Sequence, residues 1–241
     1  LTSEQKAQYE AEGRKPTVRF RVPADQQILV RDMVRGDVVF DSNGIGDFVI
    51  VKSDGIPTYN YAVVIDDALM KISHVIRAEE HLSNTPRQCL IYDALGFEKP
   101  TFGHISLILG KDRTKMSKRH GATSVDQLGY LPEGIDNFLA LLGWAPNSEQ
   151  EIFSMEELIQ AFSMDHVAKN PAVFEIDKLN WINQHYMRQL DAEAFFEAAK
   201  PHMIAAGYMT GDECGAKLEW LKRVVATAKE HVAFAAQIPE C

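Results

Sequence analysis

An α/β fold is predicted for this 241-residue chain, with half of a parallel sheet at its centre, a small β-rich unit before it and an all-α region after it. Three observations predict that order. Short apolar runs with period-two alternation crowd residues 17–53; a strand, a helix and a second strand follow one another over 72–109; and from Gly121 onward apolar residues recur at helical spacing.

In chain order, the charged stretch 4–12 reads as a helix. Val18-Arg19-Phe20-Arg21-Val22 then alternates strictly, as a half-exposed strand does, and the runs 28–30, 38–40 and 48–51 follow at short intervals. Asn43-Gly44 and Asp54-Gly55 are turn dipeptides that accept positive φ, so 17–53 reads as a small antiparallel unit. A helix with Tyr59 exposed at its start comes next. The run 72–76 is a strand that ends in the polar cluster Arg77-Ala78-Glu79-Glu80-His81. Thr85 as N-cap, Pro86 at the first helical position, apolar Leu90, Ile91 and Leu95, and Gly96 at the exit mark another helix. The following strand runs over 102–109, first alternating and then fully apolar, until Gly110 breaks it. A crossover of this length makes a right-handed βαβ unit and hence a parallel pair.

The remainder is helical in pattern. Residues 132–142 form an amphipathic helix (Ile135, Phe138, Leu139, Leu142) closed by Gly143, and Ser154 with Glu157 makes a capping box ahead of Leu158, Ile159 and Phe162. Trp144 and Trp181 are expected in the core. Asp177 starts a helix through Leu179, Ile182 and Tyr186, Asp191 caps another with Phe195 and Phe196, and 216–234 reads as a last long helix.

Composition removes several classes of function. A net charge of −9 argues against indiscriminate nucleic-acid binding, although a shaped RNA held through local basic patches stays compatible with it. No apolar run approaches the roughly 18 residues of a membrane span, and the start, Leu1-Thr2-Ser3-Glu4-Gln5, does not read as a signal peptide, so a cytoplasmic location is expected. The three cysteines lack zinc-finger or CxxC spacing, and the eight histidines show no metal-ligand spacing, so no metal is assigned to protein ligands. The chain begins without an initiator Met, which suggests that an N-terminal portion is missing.

Two clusters carry candidate chemistry. Residues 111–119 hold five basic side chains (Lys111, Arg113, Lys115, Lys118, Arg119) against one acid, Asp112, a local reversal of charge in an acidic chain. Two lysines three residues apart, with the Ser117 hydroxyl between them, can close on a polyphosphate from one side, though a solvated basic loop has the same composition. The second cluster is the mouth of the first parallel strand, since ligands of open α/β sheets bind beyond the carboxyl ends of strands. Arg77 there can hold a carboxylate bidentately, or equally can pair with Glu79 or Asp66.

The word Lys115-Met116-Ser117-Lys118-Arg119 resembles the second signature of class I aminoacyl-tRNA synthetases. Lys52-Ser53-Asp54-Gly55 leading into Pro57-Thr58-Tyr59, Val75-Ile76-Arg77-Ala78-Glu79-Glu80-His81, and Asn84-Thr85-Pro86 extend the likeness. Together with Pro171-Ala172-Val173-Phe174 and Lys178-Leu179-Asn180-Trp181, they make essentially the whole chain similar to bacterial glutamyl-tRNA synthetases. His104 does not belong to the first signature, His-Ile-Gly-His, because Gly103-His104-Ile105-Ser106 lies within a late strand.

The resemblance implies the second half of a class I Rossmann-type nucleotide-binding fold. It divides the chain into the end of an inserted module that contacts the tRNA acceptor stem (1–56), the second half of the catalytic domain (57–112), the signature loop with a helical stem-contact domain (113–180), and the start of a helical anticodon-binding region (181–241). For 1–56 a plain structural sheet remains equally open on pattern alone. The resemblance implies ligation of L-glutamate to tRNA(Glu) through glutamyl-adenylate, with ATP and Mg²⁺ carried on the triphosphate. By position, Tyr59 and Arg77 match glutamate-binding residues, and Glu80 and His81 line the nucleotide side. Lys118 matches the second ATP-binding lysine, with Lys115, Met116, Ser117 and Arg119 beside it; Lys115 and Lys118 are the catalytic candidates. A monomer that needs bound tRNA before it activates glutamate is expected.

The likeness has departures. The half of the nucleotide fold that carries His-Ile-Gly-His is absent, so the chain is expected to be a fragment inactive alone. The stretch 124–130 is shorter than usual by about one helical turn, and the chain ends before the last anticodon-reading helices. The rival readings are a non-catalytic tRNA-binding relative, a glutaminyl-type synthetase, and the short relative that glutamylates a modified tRNA base; the long helical tail disfavours the last.

Overall fold

A computed structural model describes residues 1–116, 129–212 and 215–241. It divides into two compact units, Leu1–Ser106 and Leu107–Cys241. In the first, α1 (Ser3–Ala11) begins at a capping box between Thr2 and Gln5 and buries none of its residues. The strands β1 (Val18–Phe20) and β4 (Phe48–Val51) pair antiparallel, with Phe20 and Phe48 stacked at 5.3 Å between ring centres.

Between them β2 (Gln27–Asp32) and β3 (Gly36–Asp41) form a hairpin. Strand β2 alternates strictly, so Ile28, Val30 and Asp32 face inward while Leu29 faces out. The hairpin does not stand apart as a separate antiparallel unit. Asp32 pairs in parallel with Phe102 of β6 (Thr101–Ile105), which pairs in parallel with β5 (His74–Ala78), giving one four-stranded sheet in the order β3-β2-β6-β5. Period-two alternation reports a buried face; it carries no information about which strand lies alongside, and that choice attaches the hairpin to β6.

Helices α2 (Tyr59–Leu69) and α3 (Thr85–Leu95) complete this unit, and the crossover from β5 to β6 runs through α3 as the spacing predicts. Its core is Ile28, Val30, Val64, Cys89, Leu90, Ile91, Tyr92 and Phe102. Gly96 takes φ 69° at the α3 C-cap, the left-handed exit that glycine permits without a Cβ clash. The N-terminus of α3 differs from expectation. Asn84 occupies the cap position after a 3-10 turn over Glu79–Asn84, and Thr85 is fully buried with its hydroxyl among side chains rather than on the helix N–H groups. The strand expected over 102–109 is two strands, because β5 ends at Ala78 opposite Ile105 and offers nothing further to pair with.

The second unit opens on β7 (Ile108–Leu109), which pairs in parallel with β8 (Ala172–Val173). Helices α4 (Pro132–Leu141), α5 (Met155–Ala161), α6 (Ile176–Gln189), α7 (Ala192–Ala205) and α8 (Gly215–Thr227) follow. The capping box of Ser154 with Glu157 and the Asp191 cap form as the sequence predicts. One core gathers Met187, Phe195, Phe196, Met203, Leu221 and Val225; a second holds Tyr130, Phe138, Leu179 and Ile182; Trp144, Phe153 and Leu158 make a third. Trp181 and Leu139 are exposed rather than core residues, because each lies one helical step off the stripe that α4 and α6 turn toward each other. The last helix stops at Thr227, after which a turn and a 3-10 segment (Ala235–Glu240) let Val232, Ala235 and Ile238 reach the core that a straight helix would carry them past.

Buried amides stitch α4 to α6. Asn183 accepts from Leu131 N–H at 2.8 Å and donates to the Ala233 carbonyl at 2.5 Å. A Cβ on Gly134 would lie 2.4 Å from Asn183 Oδ1 and 3.1 Å from its Cα. Gly134→Ala is therefore expected to lower stability by about 1–3 kcal/mol through overpacking, more than the ~1 kcal/mol that alanine adds in helix propensity. Urea unfolding followed by tryptophan fluorescence measures this unit, since Trp144, Trp181 and Trp220 all lie in it. An unchanged or raised midpoint would mean that Asn183 gives way at no cost.

Candidate active site

Arg77 stands near the end of β5, directly across from His104 of β6 in the parallel register, so both side chains leave the same face of the sheet. Its Nε donates to His104 Nε2 at 3.1 Å, and its Nη2 donates to Thr85 Oγ1 at 2.9 Å and to Gln88 Oε1 at 2.7 Å. Gln88 is fixed in turn by donating to Asn60 Oδ1 at 3.0 Å, and the guanidinium carbon lies 5.8 Å from the centre of the Phe102 ring. Every one of these acceptors is neutral. Neither Glu79 nor Asp66 pairs with Arg77, so the ion pair its sequence position allows is not made. Glu79 is instead bound by Arg35 at 2.5 Å, while Asp67 on α2 feels the Arg77 charge only from beyond ion-pair distance. The guanidinium is thus held in place by neutral groups, with no carboxylate among the described residues at ion-pair distance.

Beneath Arg77 lies a group that the sequence does not announce. His104 and Asp32 are completely buried at the side chain, with His104 Nδ1 2.5 Å from Asp32 Oδ2. Asp32 Oδ1 accepts three backbone N–H groups, from Val34 at 2.9 Å, Arg35 at 2.8 Å and His104 at 3.2 Å. Burial by itself would raise this carboxyl; the N–H groups of Arg35, His104 and Val34 and the imidazole outweigh burial and hold it below the usual carboxylate value. Burial holds the His104 imidazole below its ordinary value against the pull of Asp32, and the nearby charges of Arg77 and His81 act in the same direction as burial. The pair is thus a carboxylate and a neutral imidazole. Asp32 could have been suspected from the inward parity it shares with Ile28 and Val30; nothing local marks His104 as its partner.

Tyr59 is exposed at the first position of α2, and its ring centre lies 6.0 Å from that of His81. His81 and Glu80 sit on the 3-10 turn between β5 and α3, where Asn84 Nδ2 approaches His81 Nδ1 at 3.3 Å and Glu80 lies 4.0 Å from His81 Nε2. The structure therefore brings Tyr59, Arg77, Glu80 and His81 onto the strand end, turn and helix starts of one unit.

The basic loop belongs to the other unit. After β7 the chain turns back over 110–114, with Gly110 N–H bonded to the Thr114 carbonyl at 2.9 Å and Arg113 at φ 60°. Asp112 takes both the N–H and the hydroxyl of Thr114, and Lys115 returns beside Leu109 as an antiparallel bridge. Met116 N–H donates to the Ile108 carbonyl at 3.1 Å. Lys111, Arg113, Lys115 and Met116 are all exposed on this turn, and Lys111 lies 3.3 Å from Asp177. Ser117, Lys118 and Arg119 lie outside the described residues.

The strand-end arginine held by neutral acceptors stands on an α/β sheet, and the same chain carries an exposed basic turn. Residues 1–181 match the family model of class I tRNA synthetases (E and Q), catalytic domain, and the chain belongs to that family. It is 60% identical over 243 residues to the glutamate–tRNA ligase of Desulforamulus reducens, covering 100% of this chain and 50% of the relative. Against glutamate–tRNA ligase 1 of Caldicellulosiruptor saccharolyticus the identity is 61%, with the same coverage. Among solved structures, the glutamate–tRNA synthetase from Elizabethkingia anophelis superposes with a TM-score of 0.87 at 34% identity over 100% of this chain and 52% of that one. The chain spans about half the length of the curated relatives it matches. No helix among the described residues is long and apolar enough to cross a membrane.

Proposed function

We propose that the full-length protein activates L-glutamate with ATP and transfers it to the 3′ end of tRNA(Glu). The observation that carries this reading is the Arg77 guanidinium, fixed by three neutral acceptors with no carboxylate among the described residues at ion-pair distance. Such a group is built to receive an acid. The names of the 60%-identical relatives support the identity of that acid as glutamate and of the acceptor as tRNA.

In this reading Arg77 binds the substrate's side-chain carboxylate and Tyr59 closes beside it. Glu80 and His81 line the nucleotide side. The glutamate α-carboxylate attacks the α-phosphorus of ATP, pyrophosphate leaves, and a hydroxyl of the terminal tRNA ribose then attacks the acyl carbon and expels AMP. Little covalent work falls to the protein in the first step, so its contribution is position and charge neutralisation. Lys115 and Lys118, with Met116, Ser117 and Arg119, supply that charge at the triphosphate, where Mg²⁺ accompanies ATP. The stretch 1–56 ends a module that meets the acceptor stem, 57–112 carries the amino-acid side of the catalytic domain, 113–180 holds the signature loop and stem contacts, and 181–241 leads toward the anticodon. A cytoplasmic monomer goes with this reading.

The experiment is ATP–pyrophosphate exchange in the full-length protein with tRNA present. Exchange that depends on glutamate is the expected result, and Lys118→Ala should slow single-turnover adenylate formation by about tenfold or more through loss of charge at the transition state. A full-length protein that exchanges with neither glutamate nor glutamine is a tRNA-binding relative instead; a Lys118→Ala protein of undiminished rate removes that lysine from the mechanism.

A further inference from the structure

The three acceptors around Arg77 are not equivalent. An arginine Nε always carries a proton, so the atom that faces it at 3.1 Å, His104 Nε2, must present a lone pair. The imidazole proton then resides on Nδ1, against Asp32 Oδ2 at 2.5 Å. Asp32 cannot turn away, because its other oxygen is held by the N–H groups of Val34, Arg35 and His104. Thr85 fits the same assignment. Its hydroxyl accepts from Arg77 Nη2 and lies 3.3 Å from the His81 carbonyl and 3.1 Å from His104 Nε2, so its single proton has an acceptor at either place and Nε2 presents its lone pair in both cases.

The parallel register puts Arg77 and His104 side by side, and Phe102, two residues before His104, lies under the guanidinium. Two edges of the planar group are thereby set from below. Nη1 has no acceptor among the described residues and is the donor left for a ligand.

We propose that His104, locked by Asp32 with its proton on Nδ1, is a positioning residue for glutamate recognition: it accepts the Nε proton of Arg77 and so fixes the plane in which the guanidinium meets the substrate carboxylate. The inference rests on the reading of Arg77 as the glutamate contact. A histidine in its other tautomer, or protonated, would turn a donor toward a donor and release the arginine.

Two amides separate the two halves of the imidazole. Asn at position 104 can present its amide where Nδ1 lies and still satisfy Asp32, but it has nothing at the Nε2 position; Gln reaches the Nε2 position with an oxygen that can accept from Arg77. Glutamate-dependent ATP–pyrophosphate exchange is measured with tRNA in the full-length protein for His104→Asn, His104→Gln and Arg77→Ala. His104→Asn should raise the half-saturating glutamate concentration about tenfold or more, the loss of one charge-assisted hydrogen bond, and leave that of ATP within about twofold. His104→Gln should recover most of the loss. If Arg77→Ala impairs glutamate use and His104→Asn does not, or if both amides impair glutamate and ATP alike, the positioning role is wrong and His104 serves packing alone. If Arg77→Ala itself leaves the glutamate requirement unchanged, the underlying reading of Arg77 fails, and this inference with it.

Discussion

Asp32→Ala is expected to destabilise the Leu1–Ser106 unit by about 3–5 kcal/mol, the upper range for a single substitution. The reason is the number of donors it strands. Three backbone N–H groups and the His104 Nδ1–H all end on this one carboxylate in a site without solvent, and each buried donor left unpaired costs about 1–3 kcal/mol. Asp32→Asn is the informative companion: it keeps an oxygen for the backbone but turns an amide N–H₂ toward the imidazole proton, so its cost should fall near a single unsatisfied donor. The measurement is native-state amide exchange at Val34, Arg35 and His104, because every tryptophan lies in the other unit. Unaltered protection of these amides in Asp32→Ala would show that the carboxylate is not what holds them.

The same pair sets a pH dependence of definite sign. His104 titrates below its ordinary value in the folded protein, so as pH falls below about 6.5 the unfolded chain takes up a proton that the native chain refuses, and stability declines until the folded value is passed. Asp32 is also lowered, so its contribution is full above the ordinary carboxylate value and is lost at still lower pH, on the way down to its folded value. Both act in one direction. Acid weakens this unit, first through the imidazole and then through the carboxylate.

What the sequence could disclose about this site follows from how far each signal travels along the chain. Arg77 is legible because its place at the end of an apolar strand is local, and so are the capping box at Ser154, the Gly96 exit and the exposed start of α2 at Tyr59. The partners of Arg77 are not local: Thr85 and Gln88 come from the next helix and His104 from the next strand, while Asp32 is separated from His104 by 72 positions. No periodicity links such residues. Thr85 illustrates the failure, since Thr before Pro reads as a helix cap, and only the partly buried guanidinium beside it explains why the hydroxyl is spent elsewhere. Trp181 fails for another reason, as a large aromatic is apolar by composition but its side of α6 is decided by a helical phase one residue wide. The apolar run 102–109 was readable as extended chain but not as two strands with different partners, because pairing is settled by where β5 stops.

Arg77→Ala in the full-length protein is expected to raise the glutamate requirement about 100-fold or more, the loss of roughly 3 kcal/mol from the charge-assisted hydrogen bonding that Nη1 offers the substrate carboxylate. The ATP requirement should change by no more than a few-fold. Lysine is not expected to rescue it. A single ammonium cannot donate along two edges at once, so it would leave either the carboxylate or the acceptors Thr85, Gln88 and His104 unserved. The substitution should also blunt discrimination against glutamine. With the arginine present, a neutral amide forfeits the charge interaction and turns N–H groups toward N–H groups, whereas without it acid and amide meet the same pocket. Glutamate- and glutamine-dependent ATP–pyrophosphate exchange on one preparation measures both effects. Equal losses toward glutamate and ATP, with the preference for glutamate intact, would place the selecting charge elsewhere and leave Arg77 as a strut between β5 and α3. A selective loss of glutamate use would make the guanidinium, oriented by its neutral cradle, the determinant of which amino acid is activated.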